Sequence, residues 1–289
     1  MKKTHLVYLF LLASYSCSSF ANDVNCLKES AQINSFNNFI LFEDTGPLDQ
    51  VKEMRTQVRG SDDYLNADTK VTFDNCGSLL TMEGTQTKSF KNNGHELIGI
   101  SHMNVNKAGK SWGYEFSFTM SIVDEKGINN QLVQQTTKGL YLTDDVGKIN
   151  KTIGTSVFIA GDEKTNSKSV TTYEVNEDGK VTKSKQVGTA DIENSTTNYF
   201  YNANGRLIKS KTDSTTEEFS YDEKGRDLSV KSIQELFTTE TSVTTCKRWN
   251  ESGRCTNAEM NTSTFFKGEN GLKDETRTNR AEVTFDFIY

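Results

Sequence analysis

The sequence predicts an all-β fold: antiparallel hairpins in a meander, forming an open twisted sheet or a sandwich, stapled by disulfides. Three observations carry this. First, Asn or Asp is followed three residues later by Gly at eight places: Asp74/Gly77, Asn106/Gly109, Asp124/Gly127, Asp144/Gly147, Asn176/Gly179, Asn202/Gly205, Asp222/Gly225 and Asn250/Gly253. The Asx side chain caps its own turn and Gly accepts the left-handed conformation that closes it, so each pair marks a hairpin. Second, residues 112–122 alternate without a break. Trp112, Tyr114, Phe116, Phe118, Met120 and Ile122 share one face, and Gly113, Glu115, Ser117, Thr119 and Ser121 the other. Third, the chain of 289 residues holds a single Pro, so little interrupts a ladder.

The clearest unit lies between Asn198 and Val230. It reads Tyr199-Phe200-Tyr201, a turn to Gly205, then Arg206-Leu207-Ile208, and repeats as Phe219-Ser220-Tyr221, a turn to Gly225, then Arg226-Asp227-Leu228. A basic residue also follows the Gly at Lys110, Lys148, Lys180 and Arg254. This unit resembles the tyrosine-aspartate (Rhs-type) repeat in local geometry. Tyr199, Tyr201, Phe219 and Tyr221 are candidates for an exposed aromatic surface, or for packing between neighbouring hairpins.

Residues 1–21 read as a secretory signal: Lys2 and Lys3, an apolar run Leu6–Leu12 too short to span a bilayer, and Ser19-Phe20-Ala21 before a cleavage that leaves Asn22. Cys17 is the alternative, a candidate for lipid attachment, although Ser14 and Tyr15 depart from the usual approach to a lipidated cysteine. Beyond the signal, residues 22–160 form the expected core region, 161–169 a polar linker, and 170–289 a wetter hairpin region rich in Thr, Ser and Lys. At 48–58 both helical spacing (Leu48, Val51, Met54, Val58) and alternation (Lys52, Met54, Thr56, Val58) occur, and the hairpins around it favour a strand. Val283, Phe285, Phe287 and Tyr289 alternate to the end.

Cys26, Cys76, Cys246 and Cys255 make an even count in an exported chain, which points to two disulfides. Cys246 and Cys255 flank one hairpin turn and are expected to pair, leaving Cys26 with Cys76. No C-x-x-C motif occurs and no His lies near a Cys, so no metal is expected. Nor does any residue pattern call for a cofactor. His95 and His102 offer no catalytic arrangement, and the scattered acids single out no pair.

Apolar content is 34% and net charge −6, which leaves about −8 once a leader with two lysines is gone. That balance excludes a nucleic-acid partner, which needs a basic footprint. Lys180, Lys183, Lys185, Arg206, Lys209 and Lys211 are the residues from which a basic stripe for a polyanion would be built.

Ser35-Phe36-Asn37-Asn38-Phe39, Phe42–Pro47 with Val51-Lys52, Asp74–Leu80, Tyr199–Lys211 and the close pair Cys246/Cys255 resemble, in order, the YnfC-like lipoproteins of enterobacteria, an uncharacterised family. The resemblance implies an envelope lipoprotein with its lipid on Cys17 and carries no activity. The reading is an exported envelope protein, periplasmic or lipid-anchored, with a non-enzymatic binding or structural role. Envelope proteins or polysaccharide are the partner classes, and any membrane association runs through the lipid. A hydrolase of envelope polymers is the alternative, and a small outer-membrane barrel a third.

Overall fold

The computed structural model describes residues 26–43, 48, 50–92, 94–236, 238–268 and 273–289. The signal and Cys17 lie outside them. One helix comes first, α1 (Lys28–Phe42). The strands follow: β1 (Glu53–Gly60), β2 (Leu65–Phe73), β3 (Leu79–Asn92), β4 (His95–Ala108), β5 (Ser111–Val123), β6 (Asn129–Thr143), β7 (Ile149–Ala160) and β8 (Glu163–Val175). The second half adds β9 (Val181–Gly188), β10 (Ser195–Tyr201), β11 (Leu207–Lys211), β12 (Thr215–Tyr221), β13 (Asp227–Glu235), β14 (Thr239–Trp249), β15 (Cys255–Phe266) and β16 (Glu275–Ile288).

Each strand pairs antiparallel with its sequence neighbours, and β1 closes on β16 from Glu53↔Ile288 to Gly60↔Ala281. The meander expected from the hairpins is therefore a closed barrel, not an open sheet or sandwich. Nor do residues 161–169 link two halves: Gly161 turns β7 into β8, and Ser169 is paired with Gly154 and Gly188 in mid-wall. The all-β expectation also missed α1. Its Asn-rich sequence lacks a clean apolar stripe because the helix buries residues on more than one side, among them Asn37, Asn38, Phe39, Leu41 and Phe42.

Seven of the eight Asx–Gly turns have the expected geometry, the Gly N–H donating to the Asx carbonyl. At Asp74, for example, the side chain accepts from the N–H groups of Cys76 and Ser78, both at 2.9 Å. Asn106 is the exception. It sits in the ladder opposite Thr81 and Gly113, and Gly109 (φ 64°) makes a tighter turn from Ala108 to Ser111. All but the Asp124 turn fall at one end of the barrel, the upper rim. There, at every turn except that of Gly109, the second residue after the Gly is buried: Leu79, Ile149, Val181, Leu207, Asp227 and Cys255. These side chains form a ring inside the mouth.

The repeat unit also builds the rim. Tyr201 donates to Val181 O (2.7 Å), Tyr221 to Leu207 O (2.6 Å) and Trp249 to Asp227 O (3.1 Å). Lys180 lies over Tyr201, Arg206 over Tyr221 and Arg226 over Trp249, with the charge 5.4, 5.2 and 4.2 Å from the ring centre. Arg206 also donates to Gly225 O at 2.6 Å, and Lys180 to Gly205 O. Lys180 and Arg206 thus clamp the next turn by cation–π attraction and a charge-assisted hydrogen bond, and Arg226 by cation–π attraction alone.

Inside and outside are set by the period-two pattern. Met54, Val58, Val71, Met82, Val105, Val283 and Phe285 point inward and are buried. The outer face carries ion pairs along the wall: Arg59–Asp68 (2.6 Å), Lys70–Glu53 (3.1 Å), Lys138–Glu115 (2.9 Å), Lys183–Glu174 (3.0 Å) and Lys209–Glu218 (3.4 Å). An outer-membrane barrel has an apolar outer band and a polar interior. Here charged residues of both signs stand on the outer face.

Candidate functional site

Sixteen strands enclose more space than their own side chains fill. Two devices occupy it. At the upper rim α1 lies across the mouth, held by asparagines that read turn carbonyls. Asn34 donates to Cys76 O (2.8 Å), Asn38 to Gly77 O (2.7 Å) and Asn37 to Gly147 O (2.9 Å), while Asn37 accepts from Ile149 N (2.8 Å). The Cys26–Cys76 disulfide ties the helix start to the same turn, and Cys246–Cys255 staples the β14–β15 hairpin. Below the helix, Leu41, Phe42, Leu48 and Val51 pack on Val71, Leu79, Trp112 and Ile149.

Toward the lower end the barrel is pinched. Lys88 on β3 and Tyr64 meet Glu240 on β14, at 2.5 and 3.2 Å. Four strands separate β3 from β14 around the wall, so this contact crosses the interior. Phe90 stacks edge-on against Tyr64 and Phe266, with centroids 5.2 and 6.3 Å apart. Burial, then the Glu240 charge, raise the Tyr64 hydroxyl far above its ordinary range.

Between helix and pinch lies the candidate site, a cluster of acids and tyrosines. Glu43 caps α1 in the left-handed conformation (φ 59°). Its side chain is open to water, with protein close around it. Tyr199 donates to Glu43 at 3.4 Å and packs edge-on against Phe39, 5.1 Å between centroids. Glu217 accepts from Ser210 at 2.9 Å. Burial and then the charge of Glu217 push the Glu43 carboxyl from its ordinary 4.5 up to about 8; burial also raises Glu217, against the lowering bond from Ser210. Burial lifts the Tyr199 hydroxyl well above its usual value, and Tyr173, which shares a 2.7 Å hydrogen bond with Thr152, to about 12.

A level lower, Tyr114 lies flat on the wall over Gly139 and Gly154. A Cβ at Gly154 would meet its hydroxyl at 2.5 Å, so the two glycines make room for the ring. Gln186 donates to the Glu193 carboxylate (2.7 Å), and burial, then the Glu193 charge, push Tyr114 up to about 12. The cluster presents carboxyl and phenol groups to whatever enters.

The structure redistributes the residues singled out from the sequence. Tyr199, Tyr201 and Phe219 pack inward against the buried cluster of Phe39, Val181 and Leu207, and Tyr221 lies under Arg206. The aromatic platform is thus not exposed; Phe200, on the alternate face, is the exposed one. The basic stripe is broken up as well, since Lys180 and Arg206 clamp the rim and Lys183 and Lys209 are ion-paired. His102 lies on the outer wall in a groove of about 530 Å³ across β1–β5, with Arg55, Lys70, Glu83 and Glu115. No three metal-binding side chains come together among the described residues. Glu43 and Glu217 were not picked out from the sequence. They lie 174 positions apart, and only closure of the barrel brings them together.

No family model matches the chain, and neither does any curated protein. Among solved structures, a porin-like protein from Bacteroides uniformis ATCC 8492 is similar at 14% identity over 83% of this chain and 98% of that one, with a TM-score of 0.43. A likeness that loose carries nothing about function.

Proposed function

We propose that this is an exported cell-envelope protein that works in the aqueous part of the envelope, free in the periplasm or held by a lipid on Cys17. Its role is binding or structural. The observation that carries the reading is the charged outer wall. Arg or Lys on the lipid face of a barrel costs ~2–4 kcal/mol at mid-bilayer, and this wall sets lysines and arginines in mid-strand around much of its circumference. Two disulfides fit an oxidising compartment. The acid and tyrosine cluster at Glu43 and Glu217 is the place for a small ligand. Helix α1 lies between it and the upper mouth, which weighs against a polymer hydrolase.

The test is fractionation of the chain expressed with its own leader. Release by osmotic shock fits the free form. Membrane retention that Cys17→Ser abolishes fits the tethered form. Retention of both proteins through a carbonate wash, with heat-shifted mobility in SDS, overturns the proposal in favour of an outer-membrane barrel.

A further inference from the structure

The outer wall is not uniform. Leu140, Ile153, Val170 and Val187 are successive ladder partners on the outer face of β6, β7, β8 and β9. They make one apolar row, ~14 Å across at the usual strand spacing, with Leu140, Val170 and Val187 exposed by 43, 37 and 53%. Lysines flank it on both sides. The next row in one direction reads Leu142, Lys151, Thr172, Lys185, and in the other Lys138, Thr155, Lys168. Lys164 stands further down beside Ile159. Lys138 is matched by Glu115. Among the described residues, Lys151, Lys164, Lys168 and Lys185 have no acid within ion-pair distance, although the chain is acidic overall.

We propose that this wall rests on an anionic phospholipid surface. An exposed apolar row set among unpaired lysines matches a bilayer interface in both of its properties: the row meets the acyl boundary, and the lysines reach the phosphates with their stems along it. A second copy fits worse, because a two-fold contact through this face sets lysines against lysines. The opposite wall, β15–β16–β1–β2, shows the contrast. There Arg280 pairs with Glu259, Arg59 with Asp68 and Lys70 with Glu53, and little net charge is left to attract a membrane.

The test uses the exported chain carrying Cys17→Ser, so that no acyl group contributes, sedimented with vesicles of equal phosphatidylglycerol and phosphatidylcholine. Binding is expected at low salt and fades at high salt. The variant Lys151→Gln/Lys164→Gln/Lys168→Gln/Lys185→Gln loses about fivefold in partitioning per lysine, several hundredfold in all. Arg55→Gln/Arg59→Gln/Lys70→Gln/Arg280→Gln removes the same charge from the other wall and binds within about twofold of the parent, because its sites lie beyond a Debye length from the membrane. Leu140→Ser/Val187→Ser weakens binding with charge untouched. All these positions are exposed, and thermal melts check that each variant folds. Equal loss in both charge variants, equal binding to pure phosphatidylcholine, or no binding by the parent overturns the proposal. So does a dimer that the four-lysine variant alone dissolves.

Discussion

The two ends of the barrel are closed by different means. The upper rim repeats one local solution: Asx turn, buried residue two places after the Gly, and a cation laid over the next hairpin's aromatic. The lower end is held by single long-range contacts, Lys88 and Tyr64 with Glu240, and Phe90 between Tyr64 and Phe266. A repeated device spreads its energy over many weak parts, and losing one is tolerable. A single device concentrates it, and its closing partners, Lys88 with Glu240 and Phe90 with Phe266, lie more than half the chain apart in sequence.

The largest effect is expected where the rim meets the core. Trp112 is fully buried and donates to Leu79 O at 2.8 Å. Trp112→Ala costs about 3–5 kcal/mol in urea unfolding, and a loss under 1 kcal/mol would mean that the rim does not depend on its core contacts. The staples come next. Cys26 and Cys76 close a loop of separation 50, and Cys246 and Cys255 one of separation 9. Loop entropy then gives about 4 kcal/mol for the first and about 3 for the second, so the double Ser variant at the helix should melt lower than the one in the hairpin. At the lower end Lys88→Met costs about 2 kcal/mol, because it strips a charged partner from Glu240 and Tyr64. Arg226→Gln at the rim costs about 1 kcal/mol, since one clamp among several is lost. If Arg226→Gln cost more than Lys88→Met, the contrast between the ends would be broken.

The smallest effect is a slope. Glu43 binds its proton more tightly folded than unfolded, so it stabilises most below its ordinary 4.5, and that contribution declines up to about 8. Melting temperature should drift down over this range and level off above it. Glu43→Gln should flatten the drift. A rise of stability with pH in the parent that Glu43→Gln removes would show the proton held the other way.

The parts readable from the sequence are those decided within about ten residues. The Asx–Gly turns are local hydrogen-bond units, and Trp112–Ile122 alternates on one face whatever its neighbours do. Closure entered only with the third reading, a small barrel, because Glu53↔Ile288 joins the first strand to the last with no local signal. Helix α1 was hidden because Asn34, Asn37 and Asn38 look like loop residues until the turn carbonyls they bond are in place. Whether Tyr199 and its companions formed an exposed surface or packed between hairpins stayed open because the second half shows little apolar pattern. Its inward positions include Ser210, Ser232, Ser242, Thr244, Thr262 and Thr264, all buried. A wide barrel with a wet interior admits such residues, which blurs the contrast between faces on which the reading depends.

The seam between β1 and β16 has a consequence for how the molecule is made. Every other strand pair joins neighbours in the chain and can zip as synthesis proceeds, whereas this pair must wait for the C-terminus. Until then two strand edges stand open, and a second unfinished copy offers the same edges, so crowding during export favours swapped dimers. The ends that must meet are both at the upper rim, where Lys52 N–H bonds Ile288 O at 2.8 Å. A linker from the C-terminus to the start of α1, with new termini cut in the Gly161 turn, would make β16, α1 and β1 consecutive in the chain and move the last strand pairing to β7 and β8.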